Sequence, residues 1–89
     1  MKVIQSKDLS EDQIRFVLKW LYEGNGKTQI DDCLKTKHHK IIVSNIPGFG
    51  QHTFDAIPKS GKVEMSCRPS NQPTSREKDF CVVFDPVEL

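Results

Sequence analysis

Several residue types and patterns are scarce in this chain of 89 residues, and each scarcity excludes something. Alanine occurs once, at Ala56, so the core has to come from Val, Ile, Leu and Phe, which suit strands better than helices. No apolar run approaches the ~18 residues of a membrane-spanning helix. Met1 to Ser10 holds Lys2 and Lys7 and no apolar run longer than Val3-Ile4, which does not fit a secretory leader. Neither sign of charge dominates: 13 basic residues face 12 acidic ones, far from the uncompensated cations of a dedicated duplex-DNA coat. The three cysteines are an odd set without a C-x-x-C pair, which fits reduced thiols in the cytoplasm, or in a host cell's cytoplasm if the chain is viral. Two of them would pair only if strands brought them together. A chain this short has room for one core, so residues 1–89 are expected to form a single domain.

What is present begins with a well-marked helix. Ser10 is a good N-cap and Gln13, three residues on, completes a capping box, with Glu11 and Asp12 at the positive end of the helix dipole. Leu9 and Ile14 form a hydrophobic staple. Ile14, Val17, Leu18 and Leu21 recur at helical spacing, with Phe16 and Trp20 flanking the stripe, and Gly24-Asn25-Gly26 breaks it. The pattern predicts a helix over 10–23. A shorter one follows, with Thr28 as its cap and Ile30, Cys33 and Leu34 inward. Beyond it the chain reads as strand. Ile41-Ile42-Val43 is a β-branched run of the buried kind, and Pro47-Gly48-Phe49-Gly50 breaks it. Residues 62–68 alternate, with Val63, Met65 and Cys67 on one side, while 80–84 (Phe-Cys-Val-Val-Phe) read as a strand buried on both faces. Val3-Ile4 is a candidate short strand. Cys67 and Cys81 are expected to face the core as thiols on neighbouring strands. Pro69 to Asp79, without an apolar residue, reads as a long loop. The fold class predicted is α+β: two N-terminal helices on a small, mostly antiparallel sheet of three or four strands.

Chemistry-bearing motifs are few. Charge is uneven along the chain: residues 35–62 carry five basic side chains against Asp55 alone, a net +4. Within them Lys35, Lys37, His38, His39 and Lys40 lie close enough together to clamp phosphates, or form a solvated connector whose cations offset Asp31 and Asp32. Phe49, between Gly48 and Gly50, either presents an aromatic anchor to a partner or folds back on the core. Cys33, His38, His39, His52, Cys67 and Cys81 include metal-ligating types, but their intervals match no zinc pattern, and His39, Asn45 and His52 are too compressed for nuclease chemistry. Gly24-Asn25-Gly26-Lys27-Thr28 echoes a phosphate loop only faintly. The first two helices resemble the opening of a helix-turn-helix, yet Asp31, Lys35 and Thr36 stand where that motif needs a small residue, a glycine and an apolar residue. Its recognition helix would fall on residues 40–46, which resist helix.

The composition and the absent signatures point to a non-catalytic binding domain without a cofactor or metal. The expected partner is a protein, as for an inhibitor or adaptor of the kind small phage or plasmid genes encode. The alternative is a nucleic-acid-binding module, winged-helix-like or built on the basic run, and no membrane association is expected. Lys35, Lys37, His38, His39, Lys40 and Phe49 are the candidate contact residues.

Overall fold

Ser10 starts the first helix as its spacing predicts. Its Oγ accepts from the Gln13 N–H at 3.2 Å, and the Gln13 Oε1 accepts from the Ser10 N–H at 2.8 Å. In the computed structural model, which describes residues 1–71 and 78–89, helix α1 runs Glu11–Glu23 and buries Ile14, Val17, Leu18 and Leu21. It ends where the Leu21 carbonyl accepts from the N–H groups of both Gly24 (3.2 Å) and Gly26 (2.9 Å). Gly26 then opens α2, Lys27–Thr36, directly. Thr28 is therefore inside α2 and not its cap; the chain folds back on Leu21 too tightly to leave two more residues outside the helix. Lys37, at φ 60°, closes α2 with its N–H on the Cys33 carbonyl.

Among the described residues five strands form one sheet: β1 (Lys2–Ser6), β2 (Lys40–Ile46), β3 (Gly50–Lys59), β4 (Lys62–Pro69) and β5 (Phe80–Phe84), in the order β1-β5-β4-β3-β2. Every neighbouring pair is antiparallel. A 3₁₀ turn, Pro86–Glu88, follows, and Glu88 pairs with the Met1 ammonium. Among the described residues no helix is long and apolar enough to cross a membrane.

The α+β class holds, with two corrections. The sheet has five strands, not three or four, and the helices lie between β1 and β2 in sequence rather than ahead of the sheet. The unforeseen strand is β3. Gly50, His52, Asp55 and Pro58 are poor strand formers, and its inward residues, His52, Phe54 and Ala56, form a weak apolar pattern. Its pairing supports it instead: β2 flanks one side, β4 the other, and a two-residue turn at Ser60 (φ 51°) and Gly61 (φ 81°) joins it to β4.

Both helices cover one face of the sheet. Across that face run the rows Ile42–Phe54–Cys67–Phe80 and Ala56–Met65–Val82, all buried. The opposite face carries Ile41–Asp55–Ser66–Cys81 and Val43–Thr53–Arg68. Ile41 and Val43 are therefore exposed, and only Ile42 of that run is core. Strict alternation also separates the two strand cysteines. They sit on the neighbouring strands β4 and β5, but Cys67 faces the helices while Cys81 is on the other face, accepting from Ser66 Oγ at 3.5 Å. All three cysteines are free and buried. The middle of the expected 69–79 loop, residues 72–77, lies outside the described residues.

Candidate functional site

The basic run Lys35–Lys40 spans the last turn of α2, its left-handed cap and the first residue of β2. Two of its members are engaged. Lys40 Nζ lies 2.5 Å from Asp32 Oδ2, and that contact holds the Asp32 carboxyl below the usual carboxylate range. His39 Nε2 lies 3.2 Å from Asp55 Oδ1, whose other oxygen is 3.8 Å from Arg68 Nε. Lys35, Lys37 and His38 are exposed. Beside them a cleft of about 250 Å³ is lined by Leu34, Lys37, Pro58, Ser60, Gly61 and Lys62, so the first residue of β4 adds a second lysine to the cleft.

Phe49 lies at the other end of β2, whose seven residues span roughly 20 Å. Its N–H closes the turn on the Ile46 carbonyl at 2.9 Å. Its ring stacks on His52 with centroids 3.9 Å apart and planes 10° from parallel, so it is half-buried. The six sequence candidates thus fall into two groups at opposite ends of one strand.

Phe49 does, however, join a surface that the spacing of α1 had already marked. Phe16 and Trp20, one helical turn apart and off the buried stripe, are 54% and 47% exposed, their rings edge-to-face at 6.4 Å. A groove of about 360 Å³ runs beside Phe16, floored by Leu9, Val17, Pro47 and Phe49 and carrying one charged lining residue, Asp12. The Asp12 carboxylate is almost fully exposed, 3.8 Å from Arg15. Sequence reasoning placed Phe16 and Trp20 beside the apolar stripe but did not draw the consequence: aromatic residues outside a buried stripe face solvent.

A second polar cluster ties the two helices together. Tyr22 donates to Asp31 Oδ1 at 2.6 Å and Lys27 reaches Asp31 Oδ2 at 2.7 Å, tying the end of α1 to the start of α2. The Asp31 bond raises the Tyr22 hydroxyl above its ordinary value, and Lys27 lowers the Asp31 carboxyl. Burial pushes the Cys33 thiol up, and pushes Cys67 up further with help from the Asp79 charge, so neither is a thiolate near neutral pH. The imidazole near Cys67 is His52, whose Nδ1 faces the Gly50 carbonyl at 3.1 Å and whose Nε2 faces Asp79 Oδ2 at 2.9 Å. Both ring nitrogens are therefore engaged.

Set against protein-family models, curated proteins and solved structures, the chain matches none. Its chemistry is read from its own residues.

Proposed function

We propose that this domain is a non-catalytic regulator that acts by binding a protein through the outer face of α1 and the groove beside it. The observation that carries the reading is the pair Phe16 and Trp20, about half exposed while the other aromatic side chains are half-buried (Tyr22, Phe49) or buried (Phe54, Phe80, Phe84). Exposed aromatics next to an apolar groove are the usual anchors of protein interfaces, where few residues hold most of the binding energy. Asp12 at the groove supports a partner segment that inserts an apolar side chain and follows it with Lys or Arg. Buried free thiols suit a reducing compartment, which supports a cytoplasmic setting. The engaged nitrogens of His52 and the protonated Cys33 and Cys67 favour a non-enzymatic role.

A second reading rests on the basic end, where Lys35, Lys37 and His38 are exposed and Lys62 shares the cleft with Lys37. Such an end favours phosphate, and with it a nucleic acid. One paired experiment separates the two. The wild type, a Phe16→Ala/Trp20→Ala variant and a Lys37→Glu/Lys62→Glu variant are used as bait in host lysate, with and without nuclease. The protein reading expects a nuclease-resistant partner that the aromatic variant loses and the charge variant keeps, a loss of about 2 kcal/mol or more, roughly 30-fold, per anchor. A partner lost with the charge variant, with nuclease and with salt supports the nucleic-acid reading instead.

A further inference from the structure

We propose that His52, Cys67 and Asp79 form a three-ligand site for a zinc-class divalent metal, with a fourth position open to the cleft beside it. The three come from separate strands or strand ends. His52 on β3 and Cys67 on β4 are diagonal neighbours on the helix-covered face, one pairing with Pro69 and the other with Phe54. Asp79 stands just before β5, held there by its N–H on the Cys67 carbonyl at 2.7 Å and by its own carbonyl, which accepts from the Lys7 N–H at 3.0 Å. The ring nitrogen, the sulfur and a carboxylate oxygen all lie within 4.8 Å of one another. A tetrahedral ion with these donors needs edges of roughly 3.3–3.8 Å, within reach of small side-chain rotations.

The hydrogen bonds of His52 argue for a cation at this place. Its Nδ1 faces the Gly50 carbonyl, which only accepts, so the ring proton belongs on that nitrogen. Nε2 and the Asp79 carboxylate face each other at 2.9 Å, a spacing met by one shared proton or by a cation drawn in between them. Cys67 favours the metal: it supplies a soft third donor, it is fully buried, and its sulfur has no hydrogen-bond partner among the described residues. The outer contacts are those of a ligating histidine, with the distal N–H on a backbone carbonyl and the ring fixed in orientation, here by the Phe49 stack. Of the three ligands, His52 lines a cleft of about 410 Å³ with Phe49, Gly50, Gln51, Pro69 and Ser70, and the fourth ligand, a water, comes from that side. On binding, the Cys67 thiol gives its proton to solvent and the thiolate pairs with the metal.

The test uses the full chain, stripped with chelator, and Co²⁺ or Zn²⁺ alone as the probe. Cobalt is expected to give a near-ultraviolet thiolate charge-transfer band that saturates at one equivalent, and zinc to raise the unfolding temperature. The band should vanish in Cys67→Ala and persist in Cys81→Ser, whose sulfur lies on the other face. Asp79→Asn should weaken zinc binding by about 100-fold, at least as much as loss of an outer-shell partner does. No cobalt band, a band that survives Cys67→Ala, or no thermal shift with zinc overturns the proposal and leaves His52 and Asp79 as a simple ion pair. Should Cys67→Ala fail to fold, Asp79→Asn decides alone, and unchanged zinc affinity in that variant also overturns the site.

Discussion

Replacing Gly26 with alanine tests how the two helices meet. Gly26 is buried at the start of α2, and an added Cβ would sit 2.6 Å from Leu21 Cγ, 2.8 Å from Leu21 Cδ1 and 2.8 Å from the Leu21 carbonyl oxygen. The two side-chain atoms cannot swing clear, because Leu21 is fully buried. The carbonyl cannot move without loosening its bonds to the Gly24 and Gly26 N–H groups. Overpacking of this kind costs about 1–3 kcal/mol, while alanine's smaller unfolded-state entropy returns about 0.4–1 kcal/mol. The expected net loss is about 1–2 kcal/mol, which in a domain of this size lowers Tm by about 5–15 °C. Urea unfolding followed by circular dichroism, with a thermal melt, measures both. A Gly26→Ala variant as stable as the wild type would show that the chain does not close on Leu21 in solution, and the α1–α2 geometry behind the exposed aromatic face would fall with it.

The remaining predictions concern caps, thiols and pH. Ser10→Ala removes the side-chain half of the capping box and is expected to cost about 1 kcal/mol, read from the urea midpoint at constant m-value. Cys33, Cys67 and Cys81 are buried and should react with a thiol reagent far more slowly than after denaturation; fast native labelling of any of them contradicts its placement. Stability should fall at both pH extremes. The Asp31, Asp32 and Glu88 carboxyls are depressed, by Lys27, Lys40 and the Met1 ammonium first respectively, so their contribution is present above the usual carboxylate range, about pH 4, and is lost as pH falls through it. These groups are near the surface, so the acid limb should be shallow and flatten further in salt. The Cys33 and Cys67 thiols are raised, so their contribution is complete below the ordinary thiol value, about pH 8.5, and is lost as pH rises above it. A Tm that climbs on either excursion contradicts these assignments.

Much of α1 was legible because its signals agree: the Ser10–Gln13 box, the acidic first turn and the stripe Ile14-Val17-Leu18-Leu21 all point to one helix. β4 was legible for the same reason, as a strict alternation needs no partner to be recognised. β3 was not, because a strand built from Gly50, His52, Ala56 and Pro58 is held by neighbours on both sides that a local window does not contain. The Ser60-Gly61 turn was the one local clue to it. Strand phase was the other gap: in Phe-Cys-Val-Val-Phe every residue is apolar, so nothing local says which side Cys81 takes. As for the site, charge spacing located the basic end, and the Gly-Phe-Gly pattern located Phe49. Only the fold brings Phe49 beside Phe16, or Asp79 beside His52 and Cys67, since these are tertiary neighbours far apart in the chain.

The central claim is that the domain meets its partner through the outer face of α1. Amide hydrogen exchange of the domain, alone and with the partner recovered by the wild-type bait, measures this residue by residue. The account predicts added protection in α1 around Phe16 and Trp20 and in the Pro47–Phe49 turn, with residues 35–40 unchanged. Protection confined to residues 35–40 and the Ser60-Gly61 turn, with α1 exchanging as in the free domain, contradicts it.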